Sequence, residues 1–85
     1  MKVIYTVEFI KQYKKLPGRI KSLAIKKEKL FSYNPHNPSL RTHKSAGPLE
    51  GYLSFYVNYK YRILFRYGVG DIIYFVGIGG LEVYK

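Results

Sequence analysis

Two short stretches carry side chains of the types and spacing needed to handle a phosphate. In residues 61–67, YRILFRY, Tyr61, Ile63, Phe65 and Tyr67 alternate with Arg62, Leu64 and Arg66. Successive side chains of an extended strand point to opposite sides, so the two arginines share one side and the apolar set the other. If the apolar set meets a core, Arg62 and Arg66 stand mid-sheet among the tyrosines of neighbouring strands. Arginines among aromatics on an open sheet suit phosphate contact and base stacking. The pattern equally suits tyrosine stacked on arginine for local packing alone. The second stretch is Arg41-Thr42-His43-Lys44. Cations beside His43 oppose protonation of its ring, which would leave a neutral imidazole to act as a base. A lone loop histidine is nonetheless more often a bystander than a catalyst.

Other chemistries find little support. His36 and His43 are the only histidines, cysteine is absent and few carboxylates lie near them, so no metal site is expected. Gly77, Gly79 and Gly80 follow a strand but precede no helix, which excludes a nucleotide-binding glycine loop. Five acidic residues scattered along the chain do not make a carboxylate pair. Neither histidine has the serine and acid context of a hydrolytic triad. No cofactor is expected.

The elements that must position these side chains can be read from periodicity. Lys2 to Tyr5 reads as a short edge strand. Thr6 can cap a helix, with Glu8 in its first turn. Phe9, Ile10, Tyr13 and Leu16 share a helical face, and Lys11, Lys14 and Lys15 lie off it. Pro17-Gly18 breaks this helix and starts another, in which Ile20, Leu23, Ala24, Leu30 and Phe31 recur at helical spacing. Lys26, Lys27 and Lys29 form its polar side, and Asn34-Pro35 ends it. Residues 34–50, with three of the four prolines, read as a long loop. Three strands follow: Tyr52 to Val57, Tyr61 to Tyr67 and Ile72 to Ile78, with turns at Asn58-Tyr59-Lys60 and Gly68-Val69-Gly70-Asp71. The expected class is α+β: an N-terminal strand and a helical hairpin packed on an antiparallel sheet of about four strands.

Composition bounds the rest. A chain of 85 residues supports a single domain, 1–85, with a thin core. Ten tyrosines suit such a domain, because a tyrosine can bury its ring and keep its hydroxyl wet. The start of the chain shows no apolar signal-peptide region, and no stretch approaches a membrane span. With cysteine absent as well, a cytoplasmic location is expected. Fifteen Lys and Arg against five Asp and Glu give a net charge of +10. That excess argues for a polyanionic partner.

Several pieces in order carry a family likeness: Lys14-Lys15-Leu16-Pro17, Asn34-Pro35, Leu40-Arg41-Thr42-His43, Gly51-Tyr52-Leu53-Ser54, Tyr61-Arg62-Ile63-Leu64-Phe65, Ile78-Gly79 and Val83-Tyr84. This series, over nearly the whole chain, resembles the RelE/ParE toxins of type II toxin–antitoxin systems. The resemblance implies a microbial ribonuclease-like fold, an acidic cognate antitoxin, and one of two targets. Many such toxins cut messenger RNA on the ribosome; those of the ParE branch inhibit DNA gyrase. It implies that Arg62 holds the scissile phosphate, a role suited to a permanent bidentate cation. Tyr84 would stack on a base or assist proton transfer, and His43 would be an acid or base. Lys44, Lys60, Arg66 and Arg41 would be auxiliary RNA-binding cations. Cleavage would be metal-independent, with the RNA's own 2′-hydroxyl as nucleophile.

The chain departs from the family's pattern at its end. The common form IG-x-H-x-x-V-Y, or one with arginine near the histidine position, is replaced by IGGLEVY, one residue shorter. His43-Lys44 is followed by Ser45-Ala46-Gly47 instead of the frequent L-x-G. A side chain expected to assist cleavage is therefore missing, and such help is typically worth ~10²–10⁴-fold. The departure fits a gyrase-directed non-nuclease, a degenerate toxin that only binds RNA and antitoxin, or a weakened ribosome-dependent nuclease. A basic RNA-binding module without catalysis is a further alternative.

Overall fold

The computed structural model describes residues 1–45 and 49–80. Along the chain these form β1 (Lys2–Tyr5), α1 (Val7–Lys14), α2 (Gly18–Tyr33), a 3₁₀ turn at Pro38–Leu40, β2 (His43–Lys44), β3 (Leu53–Tyr56), β4 (Arg62–Tyr67) and β5 (Ile72–Gly79). The class is the α+β expected, with the helices against one face of the sheet. The sheet itself differs from expectation. It has five strands in the order β1-β5-β4-β3-β2, and β1 runs parallel to β5. The parallel pairing is possible because the long connection from β1 to β5 passes through the helical hairpin, which no tight turn could replace. The added strand, β2, arises inside the segment read as a loop.

The helix boundaries follow local chemistry. Thr6 Oγ1 accepts the Phe9 N–H (3.3 Å) and its hydroxyl donates to the Phe75 carbonyl (3.0 Å). One side chain thus caps α1 and ties it to β5. Gln12 adds a second tie, its Oε1 accepting the Ile78 N–H at 2.8 Å. Pro17 sits at the start of α2, where its missing N–H costs nothing, and α2 ends at Asn34 as expected.

The core is built on phenylalanine. All five, Phe9, Phe31, Phe55, Phe65 and Phe75, are buried, and together they come from both helices and the three central strands. Phe31 of α2 is the hub. It stacks on Phe55 with centroids 4.7 Å apart and meets Phe65 and Phe75 edge-on at 5.0 and 5.8 Å. Ile20, Ala24, Leu40, Ile63, Ile73 and Ile78 complete the cluster. Two side chains expected on the covered side are instead exposed: Ile10 on α1 and Tyr67 at the end of β4. Leu64 is buried although it lies on the arginine side of β4.

A β-bulge adjusts the sheet. Phe65 pairs with Phe75, but Leu64 pairs with Gly77, so Val76 is an extra residue on β5. The extra residue shifts the alternation by one. It brings Ile78 to the core side and leaves Gly77 and Gly79 opposite Leu64 and Arg62.

Tyr5 joins β1 to α2, its hydroxyl donating to the Glu28 carboxylate. Partial burial against Phe9 and Phe75, reinforced by that carboxylate, pushes the Tyr5 phenol up from 10.0 to about 12. The folded state favours the neutral phenol. Its contribution is therefore full below the unfolded value of 10.0 and is lost as pH rises through about 12. In urea titrations, Tyr5→Phe should show a shallower loss of stability over that alkaline window than the parent; identical slopes would refute the link. Phe31→Ala should cost ~3–5 kcal/mol in the same assay, because the hub packs on three strands and its loss leaves a cavity.

Candidate functional site

The helices pack on one face of the sheet; the opposite face, open in the sense that no described helix covers it, has Ser54 and Leu64 buried at its centre. The strand registers place His43 beside Ser54, Ser54 beside Leu64, and Tyr56 beside Arg62. Arg66 pairs with Tyr74 of β5. These side chains share the open face by the two-residue alternation.

Arg62 is held on two sides. Its guanidinium lies 3.5 Å from the centroid of the Tyr56 ring. Its Nη1 donates to the carbonyls of Asn58 (3.0 Å) and Tyr61 (3.3 Å). The first carbonyl is supplied by the β3–β4 turn. There the Asn58 side chain accepts the Lys60 and Tyr61 N–H groups at 2.9 and 2.7 Å, an Asx turn that sets the backbone in place. Arg66 stacks on Tyr74 at 4.2 Å, farther along the same strand. Tyr74 is in turn placed by Gly68, where a Cβ would fall 2.5 Å from its ring. Among the described residues no carboxylate pairs with Arg41, Arg62 or Arg66.

His43 has a defined tautomer. Its Nδ1 lies 3.1 Å from the Arg41 carbonyl oxygen, which can only accept, so Nδ1 carries a proton. In the neutral ring Nε2 then holds the lone pair, and the Ser54 hydroxyl 3.4 Å away can donate to it. The Arg41 carbonyl is turned to this task by an unusual backbone. Arg41 has φ 50 and ψ 43, the left-handed region that a residue with a Cβ seldom adopts and that recurs at functional sites.

The structure therefore gathers Arg41, His43 and Arg62 around one ring. Arg41 lies 5.8 Å from the Tyr56 centroid, and the His43 ring meets Tyr56 edge-on at 6.1 Å. Arg66 shares the face at a second tyrosine. Lys44 pairs with Leu53, one position out of step with His43, and so lies toward the opposite side of the sheet. Lys60 sits in the exposed turn with Nζ 5.6 Å from the Tyr61 ring. Tyr84 lies outside the described residues. Among the described residues no group of three His, Cys, Asp or Glu side chains could hold a metal ion.

Sequence reasoning missed Ser54 and Tyr56. It set aside a serine next to either histidine, yet Ser54 is buried against His43, with a backbone carbonyl where a triad would have an acid. A usable signal existed: a turn at Asn58 that pairs Val57 with Tyr61 also pairs Tyr56 with Arg62 and Ser54 with Leu64. A separate apolar concavity of about 360 Å³ lies between the helices and β1, lined by Tyr5, Phe9, Ile10, Tyr13 and Ile25 among others. Its wall is mainly apolar; Lys14 and Glu28 also line it, and the Glu28 carboxylate accepts the Tyr5 hydroxyl.

Nitrogen-15 NMR should show His43 as the Nδ1–H tautomer when neutral, and Ser54→Ala should shift the Nε2 resonance while leaving Nδ1–H in place. An Nε2–H tautomer would contradict the geometry.

No family model and no curated protein matches the chain in sequence. Solved structures do match. YafQ from Escherichia coli superposes with a TM-score of 0.80 at 17% identity, covering 98% of this chain and 96% of its own. The YoeB/ParE toxin from Agrobacterium tumefaciens gives 0.76 at 17%, covering 94% and 98%. The RelBE2 toxin–antitoxin complex from Mycobacterium tuberculosis gives 0.69 at 21%, covering 93% and 95%. The chain has the fold of these toxins.

Proposed function

We propose that this protein is the toxin of a type II toxin–antitoxin pair, made of one domain over residues 1–85, and that it cleaves messenger RNA in the ribosome. The observation that carries the reading is the seating of Arg62 on Tyr56, with His43 on the same open face. An arginine fixed on one edge by two carbonyls presents its remaining N–H groups in one plane, the geometry that a phosphate accepts bidentately.

The reaction needs few protein groups. His43 Nε2 takes the proton of the 2′-hydroxyl, the 2′-oxygen bonds to phosphorus, and the bond to the 5′-oxygen breaks. Tyr84 is the candidate donor of the proton that the leaving oxygen needs. Arg62 stabilises the charge that develops on the phosphoryl oxygens. Arg66 on Tyr74, with Arg41 beside Tyr56, extends the cationic track along the RNA, and stacked tyrosines suit its bases. The ribosome supplies the alignment of substrate, which explains how so sparse a site suffices. An acidic antitoxin would find a surface of net charge +10 by fast, electrostatically steered association. A cytoplasmic location follows from this role. No helix among the described residues is long and apolar enough to cross a membrane.

The IGGLEVY ending favours a second reading, a gyrase-directed toxin without nuclease activity, because the histidine common in the nuclease branch is missing.

Primer extension on messenger in a purified translation system separates the two. The toxin should produce cuts that require ribosomes. Arg62→Ala should reduce the rate ~10²–10³-fold and His43→Ala ~10²–10⁴-fold, both with unchanged thermal melting. A folded parent protein that makes no cuts, but stops gyrase supercoiling, would establish the second reading.

A further inference from the structure

Tyr56 touches three side chains of the open face. The Arg62 guanidinium lies against the ring at 3.5 Å, Arg41 approaches it at 5.8 Å, and His43 meets it edge-on at 6.1 Å. Each contact is with the aromatic ring. Tyr56 itself is fixed on β3 between buried Phe55 and Val57, in register with Arg62.

Arg62 has four rotatable side-chain bonds and five N–H donors. Its bonds to the Asn58 and Tyr61 carbonyls both run through Nη1 and leave the guanidinium plane free to swing about that edge. A flat surface pressed against one face removes that freedom. The ring also attracts the cation through its quadrupole, which an aliphatic side chain of similar bulk does not.

We propose that Tyr56 is a positioning residue whose ring sets the plane of the Arg62 guanidinium and spaces Arg62, Arg41 and His43 around a single phosphate. This rests on the reading of the open face as a site of RNA cleavage. The ring is the working part and the hydroxyl is dispensable. Tyr56 acts through Arg62, so its value vanishes when Arg62 is gone.

The test compares Tyr56→Phe, Tyr56→Leu, Arg62→Ala and the double variant Tyr56→Leu/Arg62→Ala. The first readout is structural and needs no turnover. In the parent protein the Arg62 side-chain protons should be shifted upfield by the ring current of Tyr56. Tyr56→Phe should keep the shift and Tyr56→Leu should abolish it, with core resonances unchanged. The second is the single-turnover cleavage rate on ribosome-bound messenger. Tyr56→Phe should stay within about threefold of the parent, and Tyr56→Leu should fall ~10–100-fold, the scale of a misplaced catalytic group. Combined with Arg62→Ala, Tyr56→Leu should cost no more than about twofold further, because the two act as one unit.

Equal losses in Tyr56→Phe and Tyr56→Leu would assign the role to the hydroxyl and overturn the proposal. So would an unchanged cost of Tyr56→Leu without Arg62, which marks a plain packing residue, or Arg62 protons that ignore the leucine. If the parent protein cuts nothing, the cleavage reading falls. The ring-current comparison still decides the positioning role, together with binding of a 2′-deoxy oligonucleotide, which should weaken in Tyr56→Leu and not in Tyr56→Phe.

Discussion

The packing of Phe31 against the sheet is the contact on which the remaining arrangement depends. It joins α2 to β3, β4 and β5 at once, and it selects the face of the sheet that meets the helices. Phenylalanine has no polar atom to satisfy, so all five are buried, and Phe31, Phe55, Phe65 and Phe75 expose no surface at all. Tyrosine keeps a hydroxyl that prefers water, and the described tyrosines sit at partly or fully exposed positions around that cluster. Once Phe55 and Phe65 face the helices, Ser54, Tyr56, Arg62 and Arg66 are turned to the open side by the pleat alone.

Two local devices shape the candidate site on the other face. The Asn58 turn pairs Tyr56 with Arg62 and gives the arginine a carbonyl to bind. The bulge at Val76 removes a bulky side chain from the neighbourhood. Without the extra residue Ile78 would stand on the arginine side; with it, glycines occupy the positions opposite Leu64 and Arg62. One inserted residue thus decides that two positions beside Leu64 and Arg62 carry no side chain.

The electrostatics of the face follow from how its cations are held. Stacking on tyrosine orients Arg62 and Arg66 through the ring quadrupole, which adds no full charge, whereas a carboxylate partner would orient an arginine and cancel its charge. His43 is oriented the same way, by a carbonyl that fixes its tautomer and adds no full charge. The left-handed Arg41 backbone that aims this carbonyl stores local strain, which the surrounding fold must hold in place.

Much of this was legible from local pattern. The Thr6 cap, the break at Pro17-Gly18, the strand boundaries near Leu53, Arg62 and Ile72, and the shared side of Arg62 and Arg66 all follow from capping, turn chemistry and alternation, which act over a few residues. The excess of cations was likewise plain from composition. What only the tertiary structure decided are the contacts between residues far apart in the chain. The parallel pairing of β1 with β5, the short strand carrying His43, and the burial of Ser54 against that histidine each depend on which segments pack together, and no local period encodes the partner. The bulge is the clearest case. A single inserted residue reverses the sides of Gly77 and Ile78, yet within β5 it looks like any other valine, because its meaning lies in the register against β4.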